Sequence, residues 1–112
     1  MRIYKILPRA EWAAAHEARA FNGSAIDLAD GFIHFSTAAQ AQETAARHFA
    51  GQVGLVVLEV EADDLGGALK WEPSRGGDLF PHLYGPLDAS LVRYVTEAPL
   101  GADGAPQVGV LT

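Results

Sequence analysis

Apolar positions in this chain come in short runs cut by glycine, proline and small polar residues. Arg2 to Leu7 alternates weakly and predicts a first strand. Pro8 then opens a helix, with proline at the first helical position and Glu11 in the first turn, both favourable there. Trp12, Ala15 and Arg19 share one helical face, and the neighbouring alanines supply propensity. The turn-rich cluster Phe21-Asn22-Gly23-Ser24 stops this helix, and Ala25 to Asp30 reads as an irregular connection. Gly31 to Ser36 predicts a short buried strand with Phe32, His34 and Ser36 on one side and Ile33 and Phe35 on the other. Thr37-Ala38-Ala39-Gln40 fits a capping box, so a second helix runs from Ala38 to Ala50, with Gly51 as its stop.

Val53 to Val60 is the strongest strand signal, apolar at nearly every position and hence central. Ala62 to Gly67 reads as a loop and Ala68 to Glu72 as a strand entering a stiff segment, Trp71 to Leu87, rich in proline and glycine. Leu91 to Thr96 alternates as a further strand, and Gln107 to Leu111 reads as an edge strand. Two main helices in the N-terminal half, with strands that do not strictly alternate with helices, predict an α+β fold.

The chain has 112 residues, which suits one domain, 1–112, with one core. Without cysteine it has neither disulfides nor thiolate ligands. No apolar run approaches the ~18 residues of a spanning helix, and the first residues do not read as a signal peptide, so a cytoplasmic protein that does not enter membranes is expected. The net charge of −6 falls wholly in the second half: residues 1–56 carry five basic and five acidic residues, and residues 57–112 carry three and nine. Nucleic-acid backbones are bound by clustered Lys and Arg, and the sequence shows no such cluster, so nucleic acid is not an expected partner.

Metal ligation lacks support, because His16 and His48 lie on different helices and no paired-histidine spacing occurs. His34 stands in an apolar strand two residues before Ser36. The pair either lines a pocket, or His34 is a core histidine bonded to backbone while Ser36 and Thr37 cap the next helix. His82 and Tyr84 are also two apart and point the same way if extended; alternatively they form a buried aromatic corner. Glu72 and Arg75 either pair with each other or serve a ligand, and a guanidinium suits phosphate or carboxylate. Serine-nucleophile, phosphate-loop and paired-carboxylate signatures are missing.

Several motifs together resemble a known family. They are Asp30-Gly31-Phe32-Ile33-His34-Phe35-Ser36-Thr37, Phe49-Ala50-Gly51-Gln52, Trp71-Glu72-Pro73-Ser74-Arg75-Gly76-Gly77 and Phe80-Pro81-His82-Leu83-Tyr84-Gly85-Pro86-Leu87. From Ile3 to about Leu100 the chain is similar to domain-of-unknown-function family 952 (DUF952), a small bacterial family. The resemblance implies a fold like that of ADP-ribosyltransferases, with split antiparallel sheets clasping NAD. Ile33-His34-Phe35-Ser36, a helix and Gly54 to Val60 also resemble a segment of the RNA 2′-phosphotransferases. The chain departs from those enzymes in lacking their arginine set. Glu59-Val60-Glu61 has the spacing of the arginine-specific transferases but ends an apolar strand, where solvated acids are ordinary.

The expected site is a cleft holding a nucleotide-like or anionic small molecule, with NAD or ADP-ribose as ligand or substrate. In it Glu72 and His34 are the candidate catalytic residues, with Glu72 facing an oxocarbenium-like centre in glycosyl or ADP-ribosyl transfer or hydrolysis. Ser36, Thr37, Arg75, His82 and Tyr84 are the candidate binding residues, Arg75 for phosphate and Tyr84 for the base. The competing expectations are a binding module that has lost transferase chemistry, and a Trp71–Leu87 segment whose aromatics only pack the core.

Overall fold

The computed structural model describes residues 1–111. In chain order, β1 (Arg2–Pro8) leads to α1 (Arg9–Ala18), β2 (Ala20–Phe21), α2 (Ala25–Asp30), β3 (Ile33–His34) and α3 (Ala38–His48). β4 (Leu55–Glu61), β5 (Leu69–Pro73), β6 (Leu79–Leu83), β7 (Leu87–Asp88) and β8 (Val92–Ala98) follow, with 3₁₀ turns at Ala62–Ala68, Arg75–Gly77 and Ala89–Leu91. The strands form antiparallel sheets in the orders β1–β4–β8, β3–β6–β5 and β2–β7. This is the expected α+β class, with helices beside antiparallel sheets.

The sheet β1–β4–β8 packs on both faces, because β1 and the central strand β4 carry apolar residues at both parities. Ile3, Leu7, Val56, Leu58 and Val60 pack with Phe21, Ile33, Phe35, Leu83 and Leu87 on one face. Tyr4, Ile6, Leu55 and Val57 meet Ala41 and Ala45 of α3 on the other. The two large sheets are stitched at one point: Tyr4 and Ser36 exchange both backbone hydrogen bonds, each 2.8 Å. That exchange places the β3–α3 turn against the middle of β1.

Several expectations are corrected. α1 ends at Ala18 because Arg19 turns left-handed at φ 67°, which releases Ala20–Phe21 to pair with β7. Ala25 to Asp30 is helical, started by a capping box in which the Ser24 amide donates to Asp27 Oδ2 at 2.8 Å. The predicted helix from Ala38 stops at His48, and the main strand starts at Leu55, leaving Val53 exposed. Leu79 to Leu83 is a central strand despite Pro81. The Pro81 carbonyl accepts from Phe35 N at 3.0 Å, just past the end of β3, so the donor that proline lacks faces a ladder that is already ending.

The expected edge strand over Gln107 to Leu111 does not form. Gln42 of α3 holds this tail instead, its Nε2 donating to Pro106 O at 2.9 Å and its Oε1 accepting from Val108 N at 3.0 Å. Both bonds come from one mid-helix glutamine, so no strand pattern in the tail announces them.

A buried ion pair ties the remaining pieces together. Lys5 lies on the same face of β1 as Ile3 and Leu7, and its Nζ sits 3.0 and 2.8 Å from Asp27 Oδ1 and Oδ2. Oδ1 of Asp27 also accepts from His34 N at 3.1 Å and meets His34 Nδ1 at 2.6 Å. Gly23 permits the approach: a Cβ there would lie 2.9 Å from Asp27 Cβ, and its φ is +120°. Burial works against ionisation of Asp27, but the His34 bond, the Lys5 charge and bond, and the Ser24 amide outweigh it and lower the carboxyl to about 2. Burial pulls Lys5 down from its usual range, against the pull of Asp27, and the direction that governs the pair is that of the carboxylate.

Two outcomes follow for stability. Asp27→Asn leaves the Lys5 ammonium buried without its counter-ion and lowers unfolding free energy by about 3–5 kcal/mol in urea denaturation. The wild-type carboxyl has a folded value below its ordinary 3.8, so its contribution of about 2 kcal/mol is complete above that value and is lost as pH falls through about 2. Denaturation curves between these limits read the slope, which the Asp27→Asn variant lacks. Separately, Gln42→Ala frees the tail, and the Val108 amide exchanges its hydrogen much faster while the strand amides of β4 keep their protection.

Candidate functional site

β3 and β6 set the site. Their register places His34 opposite His82, and period two sends both rings to the same face. The ring centroids are 5.6 Å apart in an edge-on arrangement, so the two walls expected from sequence do meet. Phe32, just before β3, stacks on His82 at 4.1 Å and 28° and also touches the rings of His34 and Tyr84.

Next to these rings lies a cavity of about 510 Å³, within the size range of small-molecule sites. Phe35, Phe49, Phe80 and Tyr4 give it an apolar lining. Its polar groups are His34, His82, Ser36, Thr44, Arg75 and Ser74, with Asp30, His48 and Lys5 also contributing. The described residues contain no group of three or more His, Cys, Asp and Glu side chains that could hold a metal ion.

Each polar wall has its own bonding. Arg75 sits in the turn after β5, where Gly76 and Gly77 take positive φ and let the chain double back. Its guanidinium lies 4.9 Å over the Phe80 ring and donates to Thr44 Oγ1 at 3.2 Å. The Arg75 side chain is only 18% exposed, while its ion-pair partner Glu43 stands 3.6 Å off and is 57% exposed. That charge is mostly removed from water and weakly compensated. Thr44 Oγ1 also meets Ser36 Oγ at 3.0 Å, so a guanidinium and two hydroxyls form one chain.

His82 is buried, with Nδ1 2.8 Å from Glu72 Oε1. The same oxygen accepts from Tyr84 Oη at 2.7 Å. The Tyr84 bond first and the His82 bond second hold the Glu72 carboxyl below its ordinary range, and the shared bond raises the Tyr84 phenol. An ionised carboxylate only accepts, so the proton of a neutral His82 lies on Nδ1 and the lone pair on Nε2. His34 is engaged at both ring nitrogens, by Asp27 at 2.6 Å and by Asp30 Oδ2 at 2.9 Å. Two carboxylates are both satisfied only by a doubly protonated ring.

The expected site residues therefore separate. His34, Ser36, Arg75 and His82 all line the cavity. Thr37 does not: it caps α3, its amide donating to Gln40 Oε1 at 3.0 Å in the predicted capping box. Glu72 and Tyr84 also stand outside the lining, because their polar atoms bond each other and His82. Glu72 and Arg75 do not pair with each other; each has other partners. Trp71 and Tyr84 are 38% and 41% exposed, which removes the reading that they pack the core, whereas Phe80 is buried. Glu59 and Glu61 pair with Arg2 and the N-terminal amine.

Sequence reasoning missed Lys5, Asp27 and Thr44. A lysine amid Ile3, Tyr4, Ile6 and Leu7 signals a buried charge, and Ser24-Ala25-Ile26-Asp27 signals a helix start. Thr44 carries no such signal, since its role arises from where α3 passes Ser36.

Among the described residues no helix is long and apolar enough to cross a membrane. The crystal structure of protein CC0527 from Caulobacter crescentus is 60% identical to this chain, covering 97% of it and 96% of CC0527, with a TM-score of 0.95. The solution NMR structure of CC0527 is 61% identical over 96% and 93% of the two chains, with a TM-score of 0.86. No curated protein matches this chain. The family model described as "Protein of unknown function (DUF952)" matches residues 6–95, which include both histidines, Arg75 and the walls that carry them. The chain belongs to this family.

Proposed function

We propose that the cavity beside His34 and His82 binds an anionic, nucleotide-like small molecule. One observation carries this reading: Arg75 is mostly buried, stacked on Phe80, loosely compensated by an exposed carboxylate, and lines an aromatic cavity of about 510 Å³. A desolvated guanidinium suits phosphate or carboxylate, and whichever of the Thr44 and Ser36 hydroxyls accepts in their mutual bond can donate to the same anion. Phe35, Phe49 and Phe80 give the cavity an aromatic lining suited to an apolar ring. The ADP-ribosyltransferase-like fold that the family resemblance implies, and the likeness of the Ile33 to Val60 segment to RNA 2′-phosphotransferases, make NAD and ADP-ribose the first ligands to try.

Transfer at a glycosidic bond with Glu72 beside the oxocarbenium centre gains no support from its surroundings. Its Oε1 carries two donors and it lies behind His82. The carboxylate nearer the cavity is Asp30, at its exposed rim and bonded to His34. Binding is thus the better-supported half of the expectation, with Arg75 as the anion seat and His82 as the remaining polar wall.

Calorimetric titration with NAD, ADP-ribose, AMP and inorganic phosphate tests the assignment. At least one phosphate-bearing ligand binds the wild-type chain, and Arg75→Ala weakens it at least about tenfold, equivalent to roughly 1.4 kcal/mol. Arg75→Lys does not restore the affinity, because a point charge replaces a planar fork. Affinity unchanged in Arg75→Ala contradicts the assignment.

A further inference from the structure

His82 has the bonding pattern of a proton-transfer group. Three constraints hold its ring: Glu72 takes Nδ1 at 2.8 Å, Phe32 covers one face at 4.1 Å, and His34 abuts it edge-on at 5.6 Å. The Tyr84 hydroxyl, 2.7 Å from the same Glu72 oxygen, fixes the carboxylate in turn. The ring is 5% exposed, and its Nε2 has no hydrogen-bond partner among the described residues. His82 belongs to the lining of the cavity that holds Arg75. A base oriented by a carboxylate, with its second nitrogen free of protein partners among the described residues and its side chain in the lining of a cavity that carries a largely buried cation, is an arrangement that suits acid–base catalysis.

We propose that the cleft hydrolyses a phosphate monoester, with His82 as the catalytic base and Glu72 as its positioning residue. The inference rests on the ligand reading above, which supplies the phosphoryl group at Arg75. Nε2 takes a proton from a water molecule as the water oxygen attacks phosphorus. The phosphorus–oxygen bond on the opposite side then breaks, the leaving oxygen takes a proton from solvent water, and the imidazolium returns its proton to solvent. One water and one ester give one alcohol and one inorganic phosphate, with His82 restored. Arg75 and the Thr44 hydroxyl bear on the phosphoryl oxygens and stabilise charge that grows there.

The full-length chain is assayed for phosphate release from AMP, from the 5′-phosphate of ribose and from p-nitrophenyl phosphate, and its binding of each is measured in parallel. Turnover of at least one is expected, falling at least about 100-fold in His82→Ala. Because His82 is buried, His82→Ala can lose its fold, so Glu72→Gln serves as a second variant at a part-exposed position. Glu72→Gln lowers kcat and displaces the acidic limb of the kcat/KM profile with little change in KM, whereas Arg75→Ala raises KM and lowers kcat together. A purely structural Glu72 changes thermal stability and leaves the pH profile where it was, which overturns its assigned role. Tight binding without phosphate release, or release unaffected by His82→Ala, overturns the hydrolytic assignment and leaves the ligand reading standing. Failure of every phosphate ester to bind removes both.

Discussion

A carboxylate enclosed beside a core strand must be paired, and Asp27 is paired with groups from three elements of this fold. Its two oxygens take the Lys5 ammonium of β1, the Ser24 amide at the start of α2, and the amide and Nδ1 of His34 in β3. Of these three elements, β1 and the β3 segment also share the Tyr4–Ser36 exchange and the core cluster of Ile3, Leu7, Ile33 and Phe35. The 2-residue strand β3 is too short to define its own register through ladder bonds alone. Asp27 supplies the missing definition, and the Tyr4–Ser36 exchange continues it into α3. Removing a charge from water is costly, and the cost is offset here only while all the partners stay in place.

The cleft inherits its geometry from that hub. Because His34 is fixed at both nitrogens, it acts as a wall against which His82 packs, with Phe32 closing the stack. A second carboxylate, Glu72, repeats the arrangement on the other side by orienting His82 and accepting from Tyr84. The acids other than Asp30 stand outside the lining, and its other polar residues are histidines, hydroxyl residues, Arg75 and Lys5. An acidic chain thus presents a site suited to anions, which its net charge of −6 does not foretell.

Local pattern made part of this legible. Period two placed Phe32, His34 and Ser36 together, and the capping box at Thr37 and Gln40 appeared where expected. β4 is central because both of its faces are apolar, as its sequence indicated. Elements set by tertiary pairing were illegible. Ala20–Phe21 looked like the end of a helix, yet a left-handed Arg19 makes it a strand. Leu79 to Leu83 reads in sequence only as part of a stiff segment, and it forms a central strand because the donor missing from Pro81 falls where β3 ends. The site divided along the same line: residues sharing a strand face were found, while Thr44 and Asp27 reach their partners only through packing, and the place of Glu72 behind His82 depends on the β5–β6 register.

The central claim is that His82 presents an unprotonated Nε2 to an anion-binding cavity seated on Arg75. Nitrogen NMR of the histidine rings, recorded as inorganic phosphate is added, tests it most directly. The account predicts that neutral His82 carries its proton on Nδ1, and that its Nε2 and the Arg75 Nε signals shift together as phosphate binds, while the exposed ring of His16 on α1 does not respond. A proton on Nε2 of the neutral ring, or phosphate that moves neither His82 nor Arg75, contradicts it.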